Sequence, residues 1–271
     1  MVNKDRILTK PLNFTISKKV EFPISNENLI PIAKSLRKLS RMEHYLGICG
    51  GGTQNLYLLQ LLTKKNRFKW KRLIDSNKEQ LLNFVDITNV LAYSKGDLNY
   101  MSNLAKRPHL TYGRCGQYVR YFYSLFRDKS HGFEETNLKM PNLRNVEIEL
   151  VFSEFTRYMK TETLPKGKYF IYISNIFSYK NMSLKLWLLR WWNIIKEIKN
   201  SDFKRLEERA DLKHTQDEIG KVVAENRNIL NGSVVLAWLG GMCLKSKTKN
   251  IILFKKVQNK IEILDKVTVP E

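Results

Sequence analysis

The sequence predicts an α/β fold, a mostly parallel sheet with helices on both faces, and three observations carry that reading. Tyr45–Cys49 is a short apolar run that ends on Gly50-Gly51-Gly52. A helix-patterned stretch follows, and a second apolar segment then ends at Asp75, about 24 residues beyond the glycines. Further short apolar runs recur at Lys168–Ile173 and Ser233–Trp238, with helix-patterned sequence between them. Strand, glycine turn, helix, strand, acid, helix is the order of a βαβ unit, and repetition of such units gives a Rossmann-like parallel sheet.

The elements follow in order. Leu29, Ile32, Ala33, Leu36 and Leu39 have helical spacing, with Lys34, Arg37 and Lys38 between them, which predicts a helix over Asn26–Arg41. The brevity of Tyr45–Cys49 and its flanking glycines predict a buried strand. Thr53 is placed to cap a helix over Gln54–Thr63. Lys64–Arg72 reads as a basic connector, and Leu73 and Ile74 as the end of a second strand closing at Asp75. Ser76 or Asn77 caps the next helix, which runs to about Leu91.

The stretch 92–144 reads as an inserted, partly helical segment that covers the site or recognises substrate. Within it, Tyr118, Tyr121, Phe122 and Phe126 are spaced for a helix over Gln117–Phe126. Alternation returns at Val146–Phe152, and Phe155–Lys160 fits a short helix. Met182–Lys199 carries Trp187, Leu188 and Trp191 on one side, a stripe that suits sheet packing. Asp202–Asn226 is charged and helical in pattern, and Ile251–Phe254 with Ile261–Leu264 predict a closing antiparallel pair. The expected organisation is a helical extension over 1–43 and one Rossmann-like α/β domain over 44–271, with the insertion at about 92–144.

Composition bounds the partners. Hydrophobic residues are 43% of the 271, enough for a sizeable core. The net charge of +21 attracts phosphate-bearing partners, so RNA, DNA and an anionic membrane surface all fit, as does compositional drift toward lysine. Cys49, Cys115 and Cys243 are odd in number and lack paired spacing, which argues against a disulfide framework. The four histidines show no metal-ligand spacing, so no metal is expected. Met1–Lys19 lacks an apolar stretch of signal-peptide length and no run approaches a spanning helix. A cytoplasmic protein is expected, with peripheral membrane association as the other fit.

Three groups of residues carry chemistry. Glycines at a strand-to-helix turn let a ligand approach the backbone, and the helix start offers free N–H groups; an adenosyl cofactor with a carboxylate tail suits that turn, as an ordinary tight turn also would. Asp75 stands where an acid accepts hydrogen bonds from ribose hydroxyls, and it can equally cap a helix. Counted from Gly50, the third glycine of a dinucleotide fingerprint falls on Asn55, which disfavours a nicotinamide cofactor. The third group is Ser174-Asn175-Ile176-Phe177-Ser178-Tyr179, a polar cluster at the end of a buried strand. There Asn175 offers donor and acceptor and Tyr179 could orient a substrate or move a proton, which makes both the catalytic candidates.

These residues together resemble a known group. His44 to Asn55, then Leu73 to Leu81, resemble the first two motifs of class I S-adenosylmethionine-dependent transferases, the methyltransferase superfamily. The Asp75-x-Asn77-x-x-Gln80-Leu81 pattern and Ser174-Asn175-Ile176 are also similar to the aminocarboxypropyl transferases that make betaine-lipid headgroups. The likeness covers about Tyr45 to Tyr179, without 92–144. It implies S-adenosylmethionine as cofactor, held by Gly50, Gly51, Gly52, Asn55, Asp75, Ser76, Asn77, Gln80 and Ser174, with Asp75 on the ribose and Asn175 near the sulfonium. The glycine turn differs from that of the lipid enzymes, and Phe177 and Ser178 stand where an acid belongs. No Asn-Pro-Pro-Tyr-like motif follows Asn175, which disfavours adenine-base methylation. Methyl transfer to an unidentified acceptor is the first expectation, aminocarboxypropyl transfer the second, and a non-catalytic RNA- or membrane-binding module the third.

Basic residues concentrate in Lys34–Arg41, Lys64–Arg72 and Lys245–Lys249. Phe68 and Trp70 interleave with the second stretch, as bases or lipid would require. The reading favoured over both is a solvated connector whose rings pack back on the domain.

Overall fold

The computed structural model describes residues 29–50, 53–63, 66–82, 84–85, 148–174, 212–240 and 248–270. The expected helix over Gln117–Phe126, the tryptophan-bearing stretch Met182–Lys199 and the insertion 92–144 lie outside them. The chain forms two compact units, Met1–Thr161 and Glu162–Glu271.

In the first unit, strands β1 (His44–Ile48), β2 (Trp70–Asp75) and β3 (Glu149–Phe152) are parallel, with β2 in the middle. All five β1 residues are buried, as a strand covered on both faces requires. Helix α1 (Ala33–Arg37), led by a tight turn at Ile30–Ile32, is shorter than the predicted 26–41. Its end is drawn in by Lys38 and Leu39, whose N–H groups donate to Ser35 and Leu36, three residues back. Helix α2 (Thr53–Thr63) buries Leu56, Tyr57, Leu58, Leu59, Leu61 and Leu62, so it is enclosed nearly all round. Helical residues 78–82 and 84–85 form α3, and Phe155–Thr161 forms α4.

The second strand starts earlier than the sequence suggests. Trp70, Lys71 and Arg72 pair with His44, Tyr45 and Leu46 rather than forming a connector. Their charge hid the strand, but Arg72 stacks over the ring of Trp70. Its guanidinium lies 4.4 Å from the Trp70 ring centre and donates to Glu149 and to the Tyr158 hydroxyl.

In the second unit, β4 (Tyr169–Ser174) is parallel to β5 (Val234–Gly240), and β5, β6 (Thr248–Val257) and β7 (Lys260–Pro270) are successively antiparallel. The closing pair thus extends well beyond Ile251–Phe254 and Ile261–Leu264. Leu264 is an extra residue in β7, between the pairs Phe254–Ile263 and Leu253–Asp265, and this bulge leaves Ile263 and Leu264 exposed. The helix over 212–219, α5, ends in a wider turn at Gly220–Ala224. The chain is therefore α/β with mostly parallel pairing. Among the described residues no helix is long and apolar enough to cross a membrane.

Candidate functional site

The site is built at the C-terminal ends of β1 and β2. Ladder bonding continues past β1, because Cys49 N–H donates to Ile74 O at 2.9 Å. The chain then turns at Gly50, whose φ of +46° is a left-handed conformation that glycine adopts without strain. A Cβ built on Gly50 would meet no atom of the described residues within 4 Å. Among the described residues, the turn thus presents bare backbone that no side chain covers. Gly51 and Gly52 lie outside the described residues.

The side chains of Asp75, Gln80 and Asn55 bond the backbone of this turn, with Asn77 and Cys49 beside them. Asp75 accepts the Gly50 N–H on Oδ2 at 3.0 Å and the Asn77 N–H on Oδ1 at 2.8 Å. Its charge therefore ties the ends of two adjacent strands together, through bonds of the stronger, charge-assisted kind. Gln80 Nε2 donates to the Gly50 carbonyl. Asn55 is fully buried, and its Nδ2 donates to Ile48 O at 2.8 Å and Cys49 O at 3.1 Å. Asn77 caps α3, accepting the Glu79 N–H at 3.0 Å. Cys49 closes the ring, its thiol donating to Gln80 O at 3.7 Å.

The structure brings together Gly50, Asn55, Asp75, Asn77 and Gln80. Ser76, between them, is exposed. Ser174 belongs to the second unit, at the end of β4, where a bulge between Tyr172 and Ser174 and a left-handed φ of +51° re-aim the chain. Such a conformation in a non-glycine residue is costly and gathers at functional positions. Asn175 and Tyr179 lie outside the described residues.

Two participants escaped the sequence reading. Gly47 sits mid-strand, and a Cβ there would stand 2.3 Å from Asn55 Oδ1. Only a glycine lets the Asn55 amide cross β1 to reach the carbonyls beyond it. Tyr45 supports the same amide, its hydroxyl donating to Asn55 Oδ1 at 2.8 Å. A glycine inside an apolar strand was the available signal. Burial pushes the Cys49 thiol well up, with the Asp75 charge adding to it, and burial also raises Tyr45, with Cys49 adding. Both stay protonated at neutral pH, so Cys49 is no nucleophile there.

Among the described residues no three His, Cys, Asp or Glu side chains are grouped to hold a metal ion. Comparison with protein-family models, with curated proteins and with solved structures returned no match.

Proposed function

We infer that the first unit is a Rossmann-like cofactor domain and that the protein is an S-adenosylmethionine-dependent transferase, with methyl transfer as its reaction. One observation carries this reading: a left-handed glycine facing open space is tied to a carboxylate at the ends of adjacent parallel strands. Ligands of open parallel sheets lie beyond the carboxyl ends of the strands, where bare backbone and a hydroxyl acceptor are wanted together. A carboxylate offers about four acceptor positions, so one group can hold backbone amides and a ribose hydroxyl at once.

Within this reading Gly50 gives the cofactor room and Asp75 holds the ribose. Asn55 and Gln80 are positioning residues that fix the Gly50 carbonyl and the two before it. The Gly50 N–H is committed to Asp75, so the cofactor's amino-acid carboxylate is received elsewhere, with Gly51, Gly52 and the α2 start as candidates. The bound cofactor supplies a sulfonium, whose carbon substituents are activated without an acid or base. Aligning the acceptor is then the chain's task, the role that the sequence expects of Asn175 and Tyr179. Aminocarboxypropyl transfer would use the same pocket with a different carbon facing the acceptor. Calorimetric titration with S-adenosylmethionine and S-adenosylhomocysteine tests the reading: binding of both in the micromolar range is expected, and no heat from either at high micromolar concentration would sink it.

A further inference from the structure

β1 and β2 also begin side by side, at the ends remote from Gly50 and Asp75. Met42 N–H donates to Asn66 Oδ1 at 2.7 Å, and Lys69 N–H donates to Glu43 O at 2.8 Å. The segment leaving α1 therefore runs against the segment entering β2. Lys34, Lys38, Arg41, Arg67 and Lys69 along these segments are all exposed. Glu43, bonded to Lys69 at 2.9 Å, is the only acid in 29–50 and 66–74. The inner side of α1 is apolar, with Ile32, Ala33 and Leu36 buried, so its basic side faces outward.

Of the rings within this stretch, Phe68 turns inward and Trp70 is half-buried. Phe68 is buried, edge-on to Tyr45 at 5.7 Å, and Trp70 is edge-on to His44 at 6.1 Å and covered by Arg72. The face thus offers charge without a platform for stacking unpaired bases. It also lacks an apolar surface for lipid tails: the large exposed hydrophobics among the described residues are Phe152, Ile263 and Leu264, in β3 and β7. A double helix, with one phosphate charge per about 1.7 Å of axis, is the polyanion that needs neither.

We propose that the face formed by Lys34, Lys38, Arg41, Arg67 and Lys69 docks the phosphate backbone of double-helical nucleic acid, irrespective of base sequence. The six residues of β2 span roughly 20 Å at about 3.3 Å each, so this face lies one strand length from the Gly50 turn. It is a docking surface rather than an acceptor site, and it stands whether or not the cofactor reading does.

The test is fluorescence anisotropy of the full chain with labelled RNA and DNA duplexes of about 20 base pairs, across a salt series. Binding that weakens steeply with salt and is indifferent to S-adenosylhomocysteine is expected. The triple variant Lys34→Glu/Lys38→Glu/Arg41→Glu should lose roughly tenfold or more in affinity and lower the salt slope by about 2.7. The matched variant Lys255→Glu/Lys260→Glu/Lys266→Glu changes net charge equally on exposed residues of β6 and β7, and should lose less than about twofold. If the first triple disturbs folding by circular dichroism, Lys38→Gln/Arg67→Gln keeps the aliphatic stems and should lower the slope by about 1.8. Equal losses in both triples, tighter binding to single strands or to phosphatidylserine vesicles than to duplex, or salt-insensitive binding would each overturn the proposal.

Discussion

The two units put their polar side chains to different uses. In the first, Asp75, Gln80 and Asn55 converge on the backbone around Gly50, where a Cβ would meet nothing among the described residues. In the second, polar groups close irregular ends. Ser233 Oγ accepts the Tyr169 N–H at 2.9 Å and donates to Leu230 O at 2.6 Å. The buried Lys256 ammonium donates to Val223 O at 3.1 Å and Asn226 O at 2.8 Å, capping the turn after α5. Satisfying a buried backbone group is needed wherever regular bonding stops. Holding a turn rigid around open space is more than satisfaction, and that surplus marks the first unit as the place to look for a ligand.

Substitutions separate the two uses, the largest effect coming first. Gly47→Ala puts a methyl where the Asn55 amide crosses, so it overpacks β1 and strands the Ile48 and Cys49 carbonyls. A loss of about 3 kcal/mol, read from the urea midpoint, is expected. Asp75→Asn presents an NH2 to one of two backbone N–H groups and should cost about 2 kcal/mol and abolish S-adenosylhomocysteine binding. Lys256→Met in the second unit removes a donor from two carbonyls while relieving a buried charge. It should cost about 1 kcal/mol and leave ligand binding intact. Gly50→Ala strains a left-handed position by about 1 kcal/mol but fills the space above the turn, so its effect on binding should far exceed its effect on stability.

Alkaline titration gives the smallest effect and opposite signs. Cys49 and Tyr45 are raised in the fold, so above about pH 9 the unfolded chain releases protons that the folded chain keeps. Stability they contribute is intact below that pH and falls as pH rises. Lys256 is lowered by burial, so between its folded value and the ordinary lysine range the unfolded chain holds more protons and stability rises with pH. Denaturation midpoints from pH 8 to 10.5 should therefore fall less steeply in Cys49→Ala and more steeply in Lys256→Met than in the parent.

Part of the first unit was legible because β1 and the end of β2 are short apolar runs that close on glycine or acid. The turn at Gly50 and the acid at Asp75 could be found from chain order alone, since both follow directly from where a parallel strand must end. The start of β2 was not legible, because lysine and arginine stems cover apolar surface that composition counts as polar. Asn55 was read without Gly47, whereas its meaning lies in the contact between them. The bulges at Ile173 and Leu264 break the period of two that strand reading relies on. The helix over 26–41 was overextended because hydrophobic spacing continues to Leu39 after the backbone has left the helix.

The central claim is that Asp75 holds a ribose while keeping the Gly50 turn in place. A crystal structure of the chain with S-adenosylhomocysteine tests it most directly. The account predicts a ribose hydroxyl within hydrogen-bonding distance of the Asp75 carboxylate, with the Gly50 and Asn77 N–H bonds retained and the ligand lying over Gly50. Ligand bound away from Gly50, or a ribose with no bond to Asp75, would contradict it.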